Sequence, residues 1–215
     1  MGVHARFVLV ALLPLAAACG GGGTDEPATA PTTTASSTTA PTTTSTTTTT
    51  TTTLEPALAD LGPPTLDEAS HLSTVGLDTV TFGMTVATAQ EAAGTALVPL
   101  DPLGDCYRVA PVDAPEGIVF VVSEGTIERA DITAGPVTTR SGVGIGTPES
   151  RVIELFGDRI ERQVSADGRV ALVFVPRDPN DAAFRVVFDI DDGVVSSLRA
   201  GRVPLVFAEP PCPGA

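Results

Sequence analysis

The residues of this 215-residue chain that could do chemistry are few: three cysteines, two histidines and some closely spaced aspartates. Outside the N-terminal segment the one histidine is His71. No Gly-x-Ser-x-Gly, His-x-x-x-His or Cys/His grouping gives it the partners that a hydrolytic triad or a metal site needs, so it reads as a solvated side chain in a linker-like stretch. Gly142-x-Gly144-x-Gly146 precedes a helical pattern, but a dinucleotide fingerprint requires glycine at position 147, where threonine stands. Asp189-Ile190-Asp191-Asp192-Gly193 opens like a calcium loop. Its glycine comes one place too early and Ser196 to Arg199 supply no carboxylate, so a hairpin turn is the reading. Glu124 and Asp192 could form an acid/base pair only if the fold brought them together, and both sit at turn positions where carboxylates are solvated. The chain reads as a protein that is not an enzyme and takes no cofactor or metal.

The cysteines carry a different chemistry. His4 and Arg6 precede an apolar run from Phe7 to Leu15, then Ala16-Ala17-Ala18 and Cys19. A basic start, a short apolar core and small residues form an export signal over residues 1–18, too short for the ~20 residues that span a bilayer. Leu15-Ala16-Ala17-Ala18-Cys19 resembles a bacterial lipobox, which implies acylation of Cys19 and an anchor in the cell membrane, with the protein on its extracytoplasmic face. Three cysteines in an exported chain leave one over. With Cys19 lipidated, Cys106 and Cys212 remain, to be bridged outside the reducing cytosol or left as two thiols.

Residues 19–65 form the anchor and a spacer. Gly20 to Gly23 are consecutive glycines, and threonine fills 18 of the 30 positions from Thr24 to Thr53. Such a segment cannot bury enough apolar surface to offset chain ordering, so a disordered stalk is expected, glycosylated or bare. All 12 basic residues are arginine, the 26 acidic ones bring the net charge to −14, and a repulsive field of that sign argues against a nucleic-acid partner. Absent lysine and the Ala/Val/Gly/Asp/Arg bias suggest a high-GC genome and, with the lipobox, an actinobacterial envelope.

Residues 66–215 are long enough for one globular domain, and within it a pattern recurs. Phe82-Gly83-Met84-Thr85 opens an Ala-rich helical stretch that stops at Gly94. Gly144-Ile145-Gly146-Thr147 opens a second that stops at Gly157, 63 residues on. Thr85 and Thr147 read as N-caps, Pro148 as a first helical residue, and Val152, Leu155 and Phe156 as one buried stripe. Strand-like runs follow each helix: Tyr107–Ala110, Ile118–Ser123 and Thr126–Ile132, then Val170–Val175, Phe184–Ile190 and Val194–Ala200, with Val203–Ala208 as a further strand. Hairpin turns at Gly125 and Gly193 align Ala130 and Ile132 with Leu198 and Ala200 on one apolar face. Arg129, Asp131, Arg185, Ser197 and Arg199 form the opposite face, read as an exposed polar band and a candidate binding face. The expectation is α+β: two tandem helix-plus-antiparallel-meander repeats, about residues 75–135 and 140–205, in one antiparallel sheet with the helices on one face.

Gly83-Met84-Thr85 with Gly94, Gly146-Thr147-Pro148-Glu149 with Gly157, and the two hairpin turns resemble the beta-lactamase-inhibitory-protein fold and the SmpA/BamE-like envelope lipoproteins. They resemble more closely the actinobacterial lipoproteins that carry this unit twice. The resemblance implies a lipid-anchored binding or envelope-assembly module with an envelope protein or cell-wall partner; the alternative it implies is an inhibitor of a secreted hydrolase. No tryptophan and a single tyrosine, Tyr107, leave a poor stock of the aromatic anchors on which inhibitor interfaces rely.

Overall fold

The computed structural model describes residues 61–212. The export signal, Cys19 and the threonine-rich spacer lie outside the described residues. The chain first forms three very short strands, β1 (His71–Ser73), β2 (Gly76–Leu77) and β3 (Val80–Thr81), then helix α1 (Val86–Ala93) and four strands: β4 (Leu97–Pro99), β5 (Cys106–Pro111), β6 (Ile118–Ser123) and β7 (Thr126–Ile132). After β8 (Thr138–Thr139) the order recurs, with α2 (Glu149–Phe156) followed by β9 (Ile160–Val164), β10 (Val170–Phe174), β11 (Phe184–Asp191) and β12 (Val194–Arg202). Two sheets result, an eight-stranded one in the order β4-β5-β6-β7-β12-β11-β10-β9 and a four-stranded one in the order β3-β2-β1-β8. The architecture is α+β, dominated by strands.

Local chemistry explains why the helices stand where they do. The Thr85 hydroxyl accepts the Thr88 N–H at 3.2 Å, which caps α1 as its sequence predicts. At the other end the Gly94 N–H donates to the Glu91 carbonyl and the Thr95 N–H to that of Gln90, a Schellman stop with Gly94 at φ 62°. Helix α2 differs from its expectation by one residue. Pro148, not Thr147, is its flanking residue, because the Thr147 carbonyl accepts the Val195 N–H and its hydroxyl accepts the Gly144 N–H at 3.0 Å. The threonine that looks like a cap is held by the sheet instead.

Both hairpin turns use a left-handed pair, Glu124 with Gly125 and Asp192 with Gly193, as two-residue loops of the type that matches strand twist. Each helix is followed by four strands rather than three, the outermost being β4 and β9. Val203–Ala208 is not a strand. Pro204 has no N–H for a ladder, and the segment turns through a 3-10 helix at Leu205–Phe207. His71 sits on β1, pairing with β8, and not in a linker.

The main core lies on one face of the large sheet. Ala89 and Ala93 of α1, Val152 of α2 and Leu72, Leu77 and Val80 of the small sheet pack there with Phe120, Ala130, Ile132, Phe188, Leu198 and Ala200. Val86, Leu155 and Phe156 lean on the same cluster, and the Phe156 ring stacks on Phe188 with centroids 5.8 Å apart.

Among the described glycines Gly94 is the most tightly enclosed. A Cβ there would stand 2.0 Å from the Pro63 carbonyl oxygen, on a backbone that disfavours any side chain. Gly94→Ala is therefore expected to cost about 2 to 5 kcal/mol, strain plus forced displacement. Gly125→Ala, with φ 83° and nothing within 4 Å of its Cβ, carries the strain alone. Urea unfolding of the two variants measures the difference.

Candidate functional site

The face opposite the helices is built by β7 and β12, the two strands at the middle of the sheet. Simple alternation would put Ile127 and Arg129 on one side. A bulge prevents it: Ile127 pairs with Val122 and Arg129 with Val121, leaving Glu128 as the extra residue. β12 does the same at Ser196, since Val195 pairs with Ile190 and Ser197 with Asp189. Each bulge keeps its first apolar residue in the core and turns the next polar one to the open face. Arg129, Asp131, Ser197 and Arg199 thereby share a face, with Asp131 directly opposite Arg199. The signal in the sequence is an apolar spacing of three, Ile127 to Ala130 and Val195 to Leu198.

These side chains do not form an exposed band. Arg129 is only 3% exposed and Arg199 12%, because the C-terminal segment crosses above them. Val206 of that segment is buried against Val173 and Val187, and a disulfide joins Cys212 to Cys106 at the start of β5, with Cα atoms 5.5 Å apart. Arg129 Nη1 donates to the carbonyls of Leu205 at 3.1 Å and Ala208 at 2.8 Å, its Nη2 to Glu209 Oε1 at 3.1 Å, and its Nε to Asp131 Oδ1 at 2.7 Å. Arg199 Nε donates to the Val206 carbonyl at 2.9 Å and its Nη1 to Asp189 Oδ2, which also accepts the Ser197 hydroxyl at 2.7 Å. Arg185 stands apart, donating to the carbonyls of Ala182 and Phe184.

Beside the covering segment the face stays open as a groove of about 670 Å³, a size that accepts small ligands or a few residues of a partner. Asp131, Ser197, Arg199 and Glu209 line it, with Arg108 and Arg169 also in its wall. A smaller hollow of about 340 Å³, bordered by Val187, Phe207 and Val164, adjoins it.

Each arginine in the groove wall is tied to a carboxylate. Arg108 grips Asp101 through two bonds of 2.8 Å, and that bond holds the Asp101 carboxyl below its ordinary value. The Ser165 hydroxyl, which bonds Asp167 closely, and then Arg169 Nε, which donates to it at 2.8 Å, lower the Asp167 carboxyl to about 2. Asp131 goes the other way. Burial raises its carboxyl despite the Arg129 charge beside it.

Sequence reasoning thus places four of its five face residues together and misses Asp189, Glu209 and the two rim pairs. For Asp189 the signal lies in its alternation with the apolar Phe188 and Ile190 along the strand. Glu209 was hidden, since only the fold of the C-terminal segment brings it over β7. No group of three His, Cys, Asp or Glu side chains suited to a metal occurs among the described residues.

An α+β domain whose large sheet is antiparallel, with a charged groove beside a disulfide-tied C-terminal segment, is the class that fold and site define. No family model matches the chain, and no curated protein matches it. Among solved structures it is similar to the uncharacterized protein yfeY from Escherichia coli, at 15% identity and a TM-score of 0.42, over 61% of this chain and 99% of that one. It is also similar to a cysteine-rich secretory protein from Staphylococcus aureus, at 14% identity and a TM-score of 0.41, over 68% of this chain and 52% of that one.

Proposed function

We propose that the protein is a non-catalytic, lipid-anchored binding module of the extracytoplasmic envelope, tethered at Cys19 and holding an envelope protein or cell-wall component in the groove of its open face. The observation that carries the reading is the groove itself, about 670 Å³ beside buried, fixed charges at the centre of the sheet. Groups locked by ion pairs are preorganised for recognition, since little side-chain freedom is lost on binding. The Arg129, Arg108 and Arg169 pairs also fix their carboxylates in place, which suits holding a ligand better than moving protons.

The domain is further proposed to be a duplication of one helix-and-meander unit. Supporting this, the two bulges lie at Glu128 and Ser196 and the hairpin glycines at Gly125 and Gly193, an offset of 68 in both cases. Gly83 and Met84 bond Ile127 through the backbone as Gly146 and Thr147 bond Val195.

Ser196 is exposed and lines the groove, while Glu154 stands exposed on α2, away from it. A photocrosslinking residue at position 196, expressed in the intact envelope, is expected to give a discrete adduct that the same residue at position 154 does not. Equal adducts at both positions overturn the groove reading; a secreted hydrolase as the adduct replaces the assembly role with inhibition. Mass spectrometry of the membrane fraction tests the anchor, and an unacylated start rejects it.

A further inference from the structure

The groove has a charge imbalance at its floor. Arg129, Arg199, Asp131, Asp189 and Glu209 form one contiguous network in which two guanidinium groups face three carboxylates. Each positive charge of the floor already faces a carboxylate: Arg129 bonds Asp131, Glu209 and two carbonyls, and Arg199 bonds the Val206 carbonyl and Asp189 and stands 3.5 Å from Glu209. One carboxylate oxygen is left without a partner. Among the described residues Asp131 Oδ1 takes the Arg129 bond and Oδ2 takes none, although the side chain is only 14% exposed and lines the groove. Val119 on one adjacent strand and Arg199 on the other stand beside Asp131, and the hydroxyl-bearing Thr133, Ser196 and Ser197 line the same groove.

An anion entering this groove meets a floor with one carboxylate in excess, and each arginine there and at the rim already faces a carboxylate, the rim pair through Asp101 and Asp167. A cation that can donate hydrogen bonds finds the opposite, an open carboxylate oxygen, neighbouring hydroxyls and one uncompensated negative charge. We infer that the groove is a receptor for a primary ammonium group, which docks on Asp131 Oδ2 and completes the charge network. This inference rests on the binding reading and gives it a ligand chemistry. Burial makes the Asp131 carboxylate costly to hold ionised, and a docked ammonium relieves that cost. A primary ammonium carries three donors on one compact charge, one for the carboxylate and two for the hydroxyls.

A free amine and a lysine side chain on a partner present the same group, and two probes separate them: cadaverine for the first and the peptide Gly-Lys-Gly for the second. The full-length protein in detergent is titrated with each at millimolar concentration and fixed ionic strength. The expected result is saturable binding by calorimetry, with the stronger probe assigning the source, and a fall in the pH at which the Asp131 carboxyl carbon titrates by NMR. Tetramethylammonium, which has the charge and no N–H, is expected not to bind. Asp131→Asn keeps the size and the acceptor for Arg129 and is expected to weaken binding about tenfold or more, the scale of one charge-assisted hydrogen bond. Absence of saturation with both amines, equal binding of tetramethylammonium, or an unchanged affinity in a folded Asp131→Asn protein overturns the inference. If the amines fail while position 196 still crosslinks in the envelope, the ammonium assignment falls and the binding reading stands.

Discussion

Replacing Cys106 and Cys212 together by serine is expected to lower unfolding stability by about 4 to 5 kcal/mol and the melting temperature by about 10 to 20 °C. The bridge closes a loop with a sequence separation of 106, and in the chain-entropy model a cross-link of that span removes a large part of the freedom of the unfolded chain. The native contacts of the C-terminal segment do not depend on the bridge alone. Val206 is buried in its own cluster with Val173 and Val187, and Arg129 and Arg199 hold the carbonyls of Leu205, Val206 and Ala208. The double variant is therefore expected to keep the segment docked, with amide exchange around Leu205–Ala208 slowed below the midpoint, even as the midpoint falls. Calorimetry gives the first quantity and hydrogen exchange the second. An unchanged melting temperature would mean that the unfolded state is compact with or without the bridge. Loss of exchange protection would mean that the bridge, not the arginines, holds the segment down.

How far the fold was legible depends on which residues had contrast. The helix stops at Gly94 and Gly157 and the hairpins at Gly125 and Gly193 follow from glycine at positions that require positive φ. The central strands follow from apolar residues facing a core on one side and polar ones on the other. The outer strands had no such contrast. In β9, Glu161 to Val164 are all exposed, so Ile160-Glu161-Arg162-Gln163-Val164 shows no two-faced pattern, and β4 is three residues long with proline at its end. The small sheet is made of strands of two or three residues, held by pairing across the chain rather than by local preference. The largest gap concerned the open face. Val203 to Ala208 has the composition of a strand, and nothing local says that it folds back over Arg129. The bulges were legible in principle from the spacing of three between apolar residues, and with them the facing of the site. Its burial was not.

That buried position makes Arg129 the most consequential single side chain of the site. Arg129→Met fills similar space without charge and is expected to cost about 3 to 5 kcal/mol, because Asp131 loses its close partner while Glu209 and two carbonyls lose a donor. The loss should depend on pH, in a direction that its cause fixes. Burial raises the Asp131 carboxyl above its ordinary value of 3.8 even with the guanidinium present. An acid whose folded-state value is raised binds a proton in the folded state before it does in the unfolded one. Its contribution to stability is therefore greatest below 3.8 and declines as pH rises through the folded-state value. Without Arg129 the two influences that lower the carboxyl most, its charge and its hydrogen bond, are gone and the folded-state value moves further up. The variant is thus expected to be most impaired at neutral pH and to recover toward the wild type as the solution is made mildly acidic. Adding Asp131→Asn should restore part of the stability at neutral pH and flatten the recovery, since the buried charge is removed along with its partner. Denaturant unfolding of the four proteins of this cycle at neutral and acidic pH measures the coupling. A coupling that stays the same at both pH values would mean that Arg129 acts through the C-terminal carbonyls and not through Asp131, and the groove floor would then owe its charge balance to Glu209 and Asp189 alone.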